Sequence, residues 1–180
     1  MKILIDNGHG IETPGKRSPD GVLREYTWNR LIASRIVDRL LSLGLDAELL
    51  VPEERDISLP ERCHRVNAWC RRLGKDNVIL ISIHANAAAQ ASLPGQRLRT
   101  DYTDGDPDME ADFYILRHTT APAVLTENFF MDSHPDCAFL LSEEGQQSLV
   151  DLHVDGICAY LAIPDDNLLN HVSQETFSRK

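Results

Sequence analysis

The stretch VILISIHAN, residues 78–86, decides the fold. Val78 to Ile83 is apolar apart from Ser82, the pattern of a strand covered on both faces. His84 and Asn86 follow where that strand should end. In open α/β sheets the ligand crevice lies just beyond the carboxyl ends of the strands. Two other apolar runs finish in the same way: KILIDNGHG (2–10) closes on His9, and APAVLTENFF (121–130) carries Glu127. Three strands that each carry a metal-type or acid/base side chain to their ends point to one shared site.

Between the strands the period changes from two to near four. Trp28, Ile32, Ile36 and Leu40 repeat along one face, with Leu31 and Leu43 alongside and Gly44 as a stop. Glu25 falls in the first turn of this helix. Asp46 to Val51 reads as a second strand. Ser58-Leu59-Pro60-Glu61 has capping-box spacing, with Leu59, Cys63, Val66, Cys70 and Leu73 as the buried stripe behind it. Ala111 to Arg117 is expected to be strand-like, and Ala123 to Phe130 to be the last buried strand. Ser133 to Leu141 is helical, and Gln146 to Ala162 is amphipathic, with Leu149, Leu152, Ile157 and Leu161 facing in. Ile11–Gly21 and Ala87–Asp108 lack a period and read as loops. The alternation predicts one α/β domain over 1–163, a twisted, mostly parallel sheet with helices on both faces, then a polar C-terminal tail at 164–180.

Composition narrows the partners. Eighteen basic residues against 28 acidic ones leave a formal charge of −10. Nucleic acid and anionic lipid both call for a basic patch, so neither is expected as a partner. No apolar run approaches the roughly 20 residues needed to span a bilayer, and integral membrane contact is not expected. MKILIDNGHG enters a strand directly and does not resemble a secretion signal, which fits synthesis in the cytoplasm. Cys63, Cys70, Cys137 and Cys158 show no CxxC spacing and are expected to be small buried thiols.

His9, Glu25 and His84 make a plausible zinc set of two imidazoles and a carboxylate, leaving one of the four positions of a catalytic site for water. Glu127 is the candidate proton carrier beside it. Asp6 is a candidate acceptor for a histidine ring proton, and Asn86 and Asn128 could orient ligands or substrate. Each residue has a plainer reading. A histidine after a strand is commonly structural, Glu25 also suits a helix N-terminus, and Glu127 could pair with Arg117 or Arg24. No compact motif such as HExxH chooses between these readings. His118 could line the cleft or be structural, and His64, His134, His153 and His171 read as surface or packing residues.

Four segments, DNGHG, REYTWN, ISIHAN and LTENFFMD, occur in this order. Together they resemble the zinc-dependent N-acetylmuramoyl-L-alanine amidases of the type-3 family. LLSEEGQQSLVDLHVDGICAYL (140–161) is similar to the closing helix of those enzymes. The resemblance implies zinc held by His9, Glu25 and His84, with Glu127 as catalytic acid/base. It also implies a peptidoglycan or muropeptide substrate, cut between N-acetylmuramic acid and L-alanine. Relatives carry a longer segment between the third and fourth motifs, and this chain is shortened near Gln90 and Ala91. An inactive peptidoglycan-binding module and a zinc peptidase or deacetylase on the same scaffold are the alternatives. A smaller departure is Asn7, where many relatives have proline.

Overall fold

The computed structural model describes residues 1–87 and 112–163. The tail at 164–180 and most of the loop expected over 87–108 lie outside them. Strand β1 (Lys2–Asn7) leads to α1 (Glu25–Ser42), β2 (Asp46–Leu49) and α2 (Leu59–Leu73). After a short 3-10 turn come β3 (Val78–Asn86), α3 (Tyr114–His118), β4 (Ala123–Phe130), α4 (His134–Leu141) and α5 (Glu143–Tyr160). The four strands form one wholly parallel sheet in the order β2-β1-β3-β4. This is the expected architecture, because parallel neighbours need helical crossovers and those crossovers cover both faces.

The core divides along the sheet. On one face Ile3, Ile5, Ile79, Ile81 and Ile83 pack against α1, α4 and α5. On the other, Leu4, Val78 and Leu80 meet Val66, Cys63 and Cys70 of α2, with Ile115 of α3. Trp28, Ile32, Ile36 and Leu40 form the buried stripe of α1 as expected, and all four cysteines are buried free thiols. Ser58 caps α2 by accepting from the Glu61 backbone N–H at 3.4 Å. Gly44 follows the end of α1 with φ +76°, a left-handed conformation that glycine adopts without strain.

Several expectations need correction. The segment expected to be strand-like up to Arg117 is instead helical at Tyr114–His118. Phe113 to Leu116 is too short an apolar run for periodicity to separate the two. Its packing on α2 decides, with Asn67 Nδ2 donating to the His118 carbonyl at 2.8 Å. β3 does not stop at Ile83 but continues through His84 to Asn86 because β4 keeps pairing with it. β2 ends at Leu49 rather than Val51. β4 is no buried strand: among the described residues it forms the sheet edge, and only Asn128 in it is buried. Leu31, Leu59, Leu73 and Leu152 are exposed rather than inward-facing.

Arg62 occupies the buried stripe that Leu59 and Leu73 were expected to extend. Only 2% of it is exposed, and its guanidinium donates to Asp6 Oδ1 at 2.5 Å and to the Asn7 carbonyl at 2.9 Å. The same side chain reaches the carbonyls of Ile57 (2.8 Å) and His9 (3.2 Å). Asp6 also accepts from the Ser82 hydroxyl at 2.6 Å, so this carboxylate serves Arg62 and Ser82, not a histidine ring. Removing one partner of such a buried pair leaves an uncompensated charge. Arg62→Ala is therefore expected to lower unfolding stability by about 3–5 kcal/mol, read from urea denaturation; a loss within 1 kcal/mol, the range of exposed pairs, would contradict it.

Candidate metal centre

The site forms where three elements end or begin together. β1 and β3 are hydrogen-bonded neighbours in register, Asn7 opposite Ile83, so the turn after β1 passes beside the end of β3. His9 lies in that turn and His84 near the end of β3. α1 begins at Glu25, and its first turn brings a carboxylate to the same place. Asn29, one turn along, donates to the Gly8 carbonyl at 3.1 Å and ties the helix to the turn.

Two glycines make this approach possible. A Cβ on Gly8 would lie 2.2 Å from Cε1 of the His84 ring, and one on Gly10 would lie 2.2 Å from the Asp56 backbone nitrogen. Between them His9 adopts φ +65°, an uncommon conformation for a side-chain-bearing residue. The Arg62 guanidinium on the His9 carbonyl helps to hold it.

His9, Glu25 and His84 converge. One ligand atom from each lies within 4.8 Å of the others. His84 Nδ1 sits 3.1 Å from Glu25 Oε1, and His9 Nε2 sits 3.2 Å from the same oxygen. The two imidazole rings stand edge to face, 4.9 Å between centroids. Glu25 is 1% exposed. Burial alone would raise its pKa, but the two imidazoles beside it outweigh burial and hold the carboxyl well below the usual range. Its other oxygen, Oε2, and His9 Nε2 are buried without a hydrogen-bond partner. Orphaned buried acceptors at one point, on residue types that bind divalent cations, fit a metal better than they fit a self-contained hydrogen-bond cluster.

Glu127 faces this group across a cleft of about 580 Å³. The pairing of β3 with β4 sets it there, since His84 is opposite Glu127 and both point to the same face. Glu127 as a residue stays accessible to solvent at the cleft wall, although its carboxylate is partly buried. Arg117 pairs instead with Asp112 at 2.9 Å. Partial burial raises the Glu127 pKa, with the nearby Glu25 adding to the rise and His84 opposing it. Asn128, expected near the site, donates to the His84 carbonyl at 2.8 Å and so touches a metal-type residue through its backbone. Asn86 instead accepts from the Ala87 backbone N–H. His118 is exposed and stacks on Tyr114.

Sequence reasoning missed two residues here. Arg62 lies three residues after Leu59 and four before Val66, on the apolar stripe, and a charge at such a position is the signal of a buried strut. Lys16 lies in the loop before α1, with Nζ 3.9 Å from Glu25 Oε2, and no local pattern marks it.

The family model described as N-acetylmuramoyl-L-alanine amidase matches residues 3–108 and 96–159. The chain belongs to this amidase family. The N-acetylmuramoyl-L-alanine amidase CwlM of Bacillus licheniformis is 29% identical, with 87% of this chain and 67% of that protein covered. The sporulation-specific N-acetylmuramoyl-L-alanine amidase of Bacillus subtilis (strain 168) is 28% identical with the same coverage. Among solved structures, an N-acetylmuramoyl-L-alanine amidase from Clostridium difficile 630 matches at TM-score 0.69 and 25% identity, covering 90% of this chain and 97% of that one. The catalytic domain of CwlV from Bacillus (Paenibacillus) polymyxa var. colistinus shares the fold at TM-score 0.71 and 23% identity, covering 91% of this chain and 100% of that one. The two matched stretches overlap at residues 96–108, between the third and fourth motifs.

The close approach at Gly8 yields a test. Gly8→Ala forces the His84 ring aside and is expected to weaken divalent-metal affinity by about 10–100-fold, the range for residues that orient ligands. Chelator competition on protein of unchanged circular dichroism reads the loss; an affinity equal to wild type would show that the ring has room.

Proposed function

We propose that this amidase is zinc-dependent and hydrolyses the amide between N-acetylmuramic acid and L-alanine in peptidoglycan. Membership of the amidase family supports the substrate class. The observation that carries the metal reading is the convergence of His9, Glu25 and His84 on one point, where buried Glu25 Oε2 and His9 Nε2 make no hydrogen bond. Zinc accepts nitrogen and oxygen ligands of this kind and, when bound, supplies Lewis acidity to a water and to the carbonyl under attack.

The chain's own residues do the rest. Glu127, on the opposite wall, takes a proton from the attacking water. As the C–N bond breaks it passes that proton to the departing alanine nitrogen, which leaves as a free amine. The pKa raised by its setting suits a carboxyl group that must hold the proton between those two steps. Asn128 holds the His84 backbone and keeps the histidine level with Glu127. Ile57, Leu59 and Leu125 give the lining of the cleft apolar surface.

Metal analysis together with mass spectrometry of digested peptidoglycan tests this reading. Close to one zinc per chain is expected, lost on chelation together with cleavage. The products should carry a new N-terminal alanine beside an intact sugar chain, which a peptidase or deacetylase would not produce. Glu127→Ala should keep its zinc and lose turnover by about 10²–10⁴-fold, whereas His84→Ala should lose both. Full activity in the Glu127 variant would remove that residue from the mechanism.

A further inference from the structure

Behind the wall that carries Glu127, on the opposite face of the sheet, lies a buried histidine that the mechanism above does not use. His153, in the middle of α5, is 8% exposed. Its Nδ1 lies 2.6 Å from the Leu149 carbonyl. A carbonyl can only accept, so Nδ1 carries the proton. Burial lowers the pKa of the ring, which keeps it neutral and leaves Nε2 as an acceptor. Thr126 Oγ1 lies 2.9 Å from Nε2 and donates to it. Asn128 Nδ2 donates to that same Thr126 oxygen at 3.0 Å and to the His84 carbonyl at 2.8 Å. One chain of hydrogen bonds thus runs from α5, through β4, to the backbone of a candidate metal ligand.

The chain spans an irregularity. Between His84 and Asn86 of β3 the register with β4 shifts: His84 faces Glu127, but Asn86 faces Phe130. The extra residue of β4 is absorbed at Asn128 and Phe129, where Phe129 takes φ +55°. Bulges re-aim neighbouring side chains and are a weak point in strand pairing, and this one adjoins Glu127 on an edge strand. Thr126 and Asn128, the residues that flank Glu127, are the two that His153 and the His84 carbonyl hold in place.

We infer that His153 is a positioning residue: through Thr126 and Asn128 it pins the β4 bulge and so fixes where Glu127 stands relative to His84. The inference rests on the amidase reading for its catalytic consequence but not for its geometry. A loosened general base costs turnover more than binding, because small misplacements of a reacting group are expensive.

The test is a double-mutant cycle with a conservative rescue. His153→Leu leaves Thr126 a second acceptor, the Ser82 carbonyl at 3.4 Å, so the variant is expected to fold. Its kcat should fall about tenfold, with KM and zinc content close to wild type. Thr126→Val should do the same, the double variant should be no slower than either single one, and His153→Gln should recover most of the loss. Additive effects, or a loss that tracks unfolded fraction and is not rescued by Gln, would overturn the inference. Imidazole ¹⁵N NMR gives a readout independent of turnover: His153 should appear as the neutral Nδ1–H tautomer, with an Nε2 signal that moves in Thr126→Val. An unmoved Nε2 signal overturns the network whether or not the protein cleaves peptidoglycan. A wild-type protein inert toward muramoyl peptides overturns the amidase reading instead, and with it the catalytic role given to His153.

Discussion

A fully buried carboxylate beside two imidazoles governs this structure. Glu25 keeps its charge at 1% exposure because compensating groups converge on it. Besides His84 and His9, the Ala85 backbone N–H donates to it at 3.3 Å and Asn29 Nδ2 at 3.5 Å. An ionised carboxylate taken out of water is costly without such partners. Every element that supplies one must therefore be in place: the turn after β1, the end of β3 and the first two turns of α1. The parallel pairing of β1 with β3 satisfies the condition, since it brings the two histidine-bearing strand ends side by side at the same end of the sheet.

Arg62 works from the other face. It holds Asp6 at the end of β1 and three carbonyls around it, in the turn that carries His9 and the loop before α2. Asp6 in turn holds Ser82 of β3. The two central strands are thus tied together by side chains just where their hydrogen-bonded ladder gives way to the site. Exclusion of Asp6 from histidine contact follows from this: the carboxylate is fully engaged in holding the backbone beneath the metal-type residues.

The edge position of β4 has a functional side. A central strand would have enclosed Glu127 and demanded a partner charge for it. At the edge the carboxylate meets the cleft directly, with its pKa raised by partial burial and by Glu25 against the opposing His84. The cost of an edge is loose pairing, and here the polar links from His153 to Asn128 reinforce the strand where it bulges.

By itself the sequence determined the order and type of most elements, because their signals are local: the apolar runs of β1 and β3, the four-residue period of α1, the Ser58 cap and the stop at Gly44. It also marked His9, Glu25, His84 and Glu127, through residue type at strand and helix ends and through the ordered motifs of the amidase family. What it could not determine depends on neighbours distant in the chain. Which strand takes the edge, whether Tyr114–His118 coils or extends, and which face of α5 is covered all follow from packing between elements. For that reason Leu59, Leu73 and Leu152 lie outside while Arg62 and His153 lie inside. A side chain's hydrophobicity sets what burial is worth, but only the assembled tertiary structure decides which positions are covered and which buried polar groups find partners there.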